Sequence, residues 1–140
     1  MLIESGQFFK KLCEYDEEGC LMSGSTLGED TFTESQSKPE DLAGLVPGHA
    51  YSIIRCIEVQ GNQLMNIRNP WGKFEWGGDW SDTCDLWTKE IIDEVKPIFD
   101  ETDGSFWMCF EDFIKFFRSV CVCRVENWNE IRIRGKFLRI

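Results

Sequence analysis

The chain has 140 residues, 42% hydrophobic and 14% aromatic with only four prolines, which suits one folded domain and excludes both a disordered segment and two full domains. Its 25 acidic and 15 basic side chains leave a net charge of −10. That argues against nucleic acid as a partner and suits an acidic surface or a cation site. No apolar run is long enough for a transmembrane segment, and MLIESGQFFKK lacks the apolar stretch of a signal peptide, so an intracellular, cytoplasmic location is expected.

Residues 3–18 read as a helix, with Phe8, Phe9, Leu12 and Tyr15 on one side and Gly19 as its stop. CLMSGST reads as a short strand. GEDTFTESQSKPEDLAG reads as a mobile surface loop. Ala50–Val59 and Gln63–Arg68 read as a hairpin turning at Gly61-Asn62. Leu86–Val95 has the pattern of an amphipathic helix stopped before Pro97. Phe106–Phe110 reads as a strand, Glu111–Phe117 as a helix and Ser119–Val125 as a strand. The expected fold is α+β: a mostly antiparallel curled sheet or barrel with flanking helices.

Seven cysteines, an odd number, in a chain without an export signal are expected to be reduced. Cys121-Val-Cys123 would place two thiols on one strand face, and no C-x-x-C occurs. Most of the seven are therefore expected to be small buried hydrophobes rather than zinc ligands.

His49 is the only histidine. It precedes the first hairpin strand, and Asn69 follows the second. Nucleophilic catalysis needs a base and a group that fixes the base's tautomer. An asparagine oxygen accepting one ring N–H leaves the other ring nitrogen for a nucleophile. Gly48 would let the backbone pass close to a cleft, and Trp71 would shield the His–Asn bond from water. Taken alone, a single histidine is more often a satisfied polar residue, and Asn-Pro is often only a turn.

Gly48-His49-Ala50-Tyr51-Ser52, then Arg68-Asn69-Pro70-Trp71-Gly72, then Phe106-Trp107-Met108 with Asp112-Phe113, resemble motifs of the calpain group of papain-like cysteine endopeptidases in the right order. The resemblance covers nearly the whole chain to Val125 and looks closest to the small-optic-lobe-like calpains. It implies that residues 1–125 form the β-rich second subdomain of a calpain protease core, with His49 and Asn69 as catalytic residues. Residues 126–140 would begin a following β-sandwich. Protein substrates are implied.

No cysteine has the setting of the nucleophile in that family. Cys13 and Cys20 precede His49 by far less than the papain-like spacing of roughly 130–150 residues, and neither stands in a Gly-x-Cys-Trp context. The resemblance therefore implies a partner: a first subdomain bringing the cysteine and an oxyanion-hole glutamine. The chain alone would be inactive. The surface around His49, Trp71 and Trp76 would face that partner and carry an apolar aromatic patch.

The resemblance also implies calcium. Glu75 and Asp82 match two ligating carboxylates and Asp103 a third, with the Glu101 carbonyl as a further ligand. Ser105 stands where the family commonly has an acid, so binding would be weak or lost. Two other readings stay open: a non-catalytic calpain-like protein-interaction module, and an unrelated β-domain in which His49 is structural and lies apart from Asn69.

Overall fold

A computed structural model describes residues 6–29, 42–100 and 102–126. Most of the expected 28–44 loop, Glu101 and the tail beyond residue 126 lie outside them. Among the described residues eight elements follow in order: α1 (Gln7–Glu17), β1 (Leu21–Thr26), β2 (Ala50–Val59), β3 (Asn62–Arg68), α2 (Lys89–Val95), β4 (Ser105–Cys109), α3 (Phe110–Phe116) and β5 (Phe117–Cys123). The strands form one antiparallel, curled five-stranded sheet in the order β4-β3-β2-β1-β5. The architecture is α+β, as the sequence pattern implies.

Strand alternation divides the apolar side chains between two faces. Met65 and Ile67 of β3 and Phe106 and Met108 of β4 join Phe9 and Leu12 of α1 and Phe110 and Phe113 of α3 in the larger core. Leu64 and Trp107, one residue out of phase, pack with Ile91 and Val95 of α2. In β2 the pairing register shifts between Ile53 and Arg55. This bulge lets Ile53 and Cys56, three residues apart, both point into the larger core.

Several boundaries differ from the sequence expectation. Val59 pairs with Asn62, so the hairpin turns at Gln60-Gly61, one residue early. Both turn residues have positive φ, 49° and 79°, the geometry a two-residue hairpin favours, and glycine adopts it without strain. Helix α2 starts at Lys89 because Thr88, in extended conformation, caps it by accepting the Ile91 N–H at 3.3 Å. Trp87 instead packs among Trp80, Phe99 and Trp107, with ring centroids 5.1, 5.3 and 5.9 Å away. Elements α3 and β5 begin one and two residues early. Phe110, Phe113 and Phe117, at helical spacing, stack in series on the core.

The cysteines also depart from expectation. Only Cys56 is buried, four are half-buried, and Cys121 and Cys123 are exposed. The reason is position: β5 is an edge strand, and the face carrying these two thiols is uncovered. No disulfide links any of the seven.

Buried ionisable groups make stability pH-dependent. Burial, with the Asp16 carboxylate adding to it, pushes the Cys13 thiol up to about 11. Burial raises the Cys56 thiol further and pushes the Tyr51 hydroxyl up to about 12. These values exceed the ordinary 9.0 and 10.0, so the folded state keeps protons that the unfolded chain releases. The stability this provides is complete below about pH 9 and is lost as pH rises toward about 12. The urea midpoint is expected to fall steadily between about pH 8.5 and about pH 10.5 with little change in slope. A constant midpoint over that range would contradict this.

Candidate active site

The hairpin brings the two sequence-predicted catalytic residues together. Ser52 of β2 pairs with Arg68 of β3, so the residues just outside these strands, His49 and Asn69, meet at one end of the sheet. His49 Nε2 lies 3.0 Å from Asn69 Oδ1. The reading in which the two stand apart is overturned.

Asn69 is fully buried, and its amide is oriented by the backbone. Oδ1 accepts the Trp71 N–H at 3.0 Å, and Nδ2 donates to the Lys73 carbonyl. A backbone N–H only donates and a carbonyl only accepts, so the amide has one allowed orientation. Nε2 of His49 must then carry the proton it shares with Oδ1, and the lone pair of the neutral ring is on Nδ1. The Trp71 ring lies over the imidazole at 4.3 Å and 38°, and Tyr51 meets it edge-on at 5.1 Å.

The main chain on both sides is also anchored. Gly48, at φ 60°, donates its N–H to the Leu27 carbonyl at 2.9 Å. His49 exchanges two hydrogen bonds with Thr26: its N–H donates to Oγ1 at 2.9 Å, and its carbonyl accepts the Thr26 N–H at 3.0 Å. The Asn69 N–H donates to the Gly104 carbonyl at 2.8 Å. Thr26 and Gly104 had no signal in the sequence as site residues, because both reach the site through distant pairing rather than a local motif. Trp76 differs from expectation. It is buried, packs edge-to-face on Phe116 at 5.0 Å and donates Nε1–H to the Asp79 carbonyl, so it is part of the core and not of an exposed aromatic patch.

The acids implied for calcium are distributed over two recesses. Glu75 and Asp82 line one of about 280 Å³ with Trp76 and Ser81. Both Asp82 carboxylate oxygens are shut from solvent. Asp103 lines another, of about 320 Å³, with Ser105, Arg55 and Arg68. The Gly104 N–H links the two loops by donating to Glu75 Oε1 at 2.9 Å, and Asp103 Oδ1 accepts the Ser105 N–H at 2.6 Å. Among the described residues no three His, Cys, Asp or Glu side chains converge as a metal site; Glu101 is outside them.

A nucleophilic thiol needs a lowered pKa. Burial raises those of Cys13, Cys56 and Cys109 instead. None of the seven cysteines is among the hydrogen-bonding or ring partners of His49. The site therefore contains an imidazole whose Nε2 side is held by an asparagine amide, with no thiol among its partners.

A histidine ring held by an asparagine amide is an arrangement that hydrolases working through an activated nucleophile use. The family model for calpain family cysteine proteases matches residues 2–124, and this chain belongs to that family. It is 40% identical over 125 residues to the calpain-type cysteine protease ADL1 of Oryza sativa subsp. japonica, a match covering 88% of the chain. It is 39% identical over 125 residues to the calpain-type cysteine protease DEK1 of Arabidopsis thaliana, and 39% identical over 116 residues to calpain-9 of Rattus norvegicus. The chain spans 6% of the length of the two plant relatives and 17% of calpain-9. Among the described residues no helix is long and apolar enough to cross a membrane.

Proposed function

We propose that this chain is the histidine- and asparagine-bearing half of a calpain-type cysteine endopeptidase that makes limited cuts in intracellular proteins. The observation that carries the reading is the 3.0 Å contact between His49 Nε2 and an Asn69 amide whose orientation is fixed by backbone partners. In the assembled site, Nδ1 of His49 takes the proton of a cysteine thiol supplied by the other half. The thiolate attacks the scissile carbonyl carbon. The imidazolium, its Nε2–H still bonded to Asn69, then gives the proton to the departing amine as the C–N bond breaks, leaving a thioester. Water, losing a proton to Nδ1, hydrolyses that thioester and regenerates the thiol. Trp71 keeps water from the His–Asn bond throughout.

The chain alone is inactive in this reading. The test is casein hydrolysis by the 140-residue chain, by a separate cysteine-bearing calpain half, and by the two joined in one polypeptide. Activity is expected only in the joined protein and is lost on thiol alkylation. A joined protein that folds, binds protein partners and hydrolyses nothing would favour the interaction-module reading.

We further propose that calcium control here is weak, because Ser105 offers a neutral hydroxyl and Glu75 already accepts the Gly104 N–H. A calcium titration followed by tryptophan fluorescence and calorimetry is expected to stay flat to about 1 mM, far above the range of cytosolic sensors. Saturable binding at low micromolar calcium that disappears in Asp82→Ala would overturn this.

A further inference from the structure

We propose that Thr26 is a positioning residue for His49, an inference that rests on the catalytic reading above. The β1–β2 ladder ends at the Ser25–Ala50 pair. His49 therefore lies one step beyond regular strand pairing, where a chain normally frays. Thr26, fully buried at the end of β1, extends the ladder with both its backbone and its side chain. Its N–H donates to the His49 carbonyl, and its hydroxyl oxygen accepts the His49 N–H.

The single hydroxyl proton goes to the Val46 carbonyl, 2.6 Å away; the His49 carbonyl, at 3.2 Å, is the weaker alternative acceptor. Val46 in turn donates its N–H to the Tyr51 hydroxyl oxygen at 2.7 Å, and the Tyr51 ring meets the His49 ring edge-on. The contacts close into a circuit: Thr26 to Val46, Val46 to Tyr51, Tyr51 to His49, and His49 back to Thr26. That circuit fixes the backbone from which the imidazole projects. Asn69 and Trp71 then fix the ring.

The hydroxyl does what no apolar residue of the same shape can do. Thr26→Val keeps the branched side chain but leaves the His49 N–H and the Val46 carbonyl without that buried partner. Thr26→Ser keeps the hydroxyl and loses a methyl group. If Thr26 only filled space, valine would be the milder change; if it positions His49, serine is.

His49 is the only histidine, so its imidazole signals in nitrogen-15 and proton NMR are unambiguous. The unaltered chain and Thr26→Ser are expected to show the Nε2–H tautomer, with ring protons shifted by the overlying Trp71. Thr26→Val is expected to show mixed tautomers and a diminished ring-current shift while circular dichroism reports a folded core. A folded Thr26→Val with the wild-type tautomer and ring shifts would overturn the proposal.

Should Thr26→Val fail to fold, amide exchange in the unaltered chain decides. Slow exchange of the His49 N–H, comparable to mid-strand β2, supports the clamp; exchange as fast as an exposed loop refutes it. In the joined protein, Thr26→Val should lower kcat roughly 10- to 100-fold with KM little changed. Because the NMR readout does not need peptidase activity, the two readings fail separately. An inactive joined protein with a hydroxyl-dependent His49 tautomer defeats the catalytic reading alone. An active one with an unaltered tautomer in Thr26→Val defeats only the clamp.

Discussion

His49→Ala, in a protein that carries both halves of the site, is expected to lower kcat/KM for a peptide substrate by roughly 10³-fold or more. In the proposed mechanism the side chain has two duties in sequence, removing the thiol proton and then protonating the leaving amine. His49 is the only histidine of this chain, so no imidazole from this half substitutes for it. The loss should be chemical rather than structural. Asn69 Oδ1 keeps the Trp71 N–H as a partner after the ring is gone, so no buried acceptor is orphaned and the urea midpoint should move little. Asn69→Ala should cost less activity, because the base remains and only its tautomer and aim are lost. It should cost more stability, because the Trp71 N–H and the Lys73 carbonyl both lose a buried partner. Steady-state kinetics with urea denaturation of both variants checks the pair. A His49→Ala protein within tenfold of the parent activity would remove the histidine from the mechanism.

Gly104→Ala is expected to be among the most damaging single-methyl changes in the chain. Gly104 has φ +78°, and an added Cβ would lie 2.7 Å from the Gly72 Cα and 2.9 Å from both the Asn69 carbonyl oxygen and the Gly72 carbonyl carbon. All three are backbone atoms of the Asn69–Gly72 turn, so no side-chain rotation relieves the clash. Left-handed strain and overpacking together should cost roughly 2–5 kcal/mol, a large share of the roughly 5–15 kcal/mol that stabilises a domain. Gly61→Ala is the control. Gly61 has nearly the same φ, +79°, but nothing lies within 4 Å of its added Cβ, so it should cost only the backbone strain of about 1–2 kcal/mol. Equal urea midpoints for the two variants would contradict the packing argument. The Gly104 carbonyl also accepts the Asn69 N–H, so a partly folded Gly104→Ala protein should show a disturbed His49 imidazole signal as well.

The features legible in the sequence are those set over a few neighbouring residues. The β-branched run Ala50–Val59 and the return to Arg68 define a hairpin, and a hairpin necessarily brings the residues flanking its open end together. That is why the hairpin pattern in the sequence already implies that His49 and Asn69 are neighbours. The hydrophobic spacing likewise places Phe8, Phe9, Leu12 and Tyr15 on one side of α1; Phe9 and Leu12 are buried, and Phe8 and Tyr15 pack half-buried against the same core.

Where neighbours in space are far apart in sequence, the pattern was silent. Thr26 reaches His49 across 23 positions, and the small polar run Ser23–Thr26 carries no mark of which carbonyl or amide it will meet. Cys121 and Cys123 alternate like interior residues, and only the order of the strands made β5 an edge with an uncovered face. Trp76, expected on the surface that faces the partner subdomain, is instead buried against Phe116 of α3. The imidazole tautomer is of the same kind. It depends on the Asn69 amide, which is oriented by the Trp71 N–H and the Lys73 carbonyl. Local pattern determines which segments become strands and helices and what meets across a tight turn; the environment of each side chain is decided by contacts between elements, which exist only once the chain has folded.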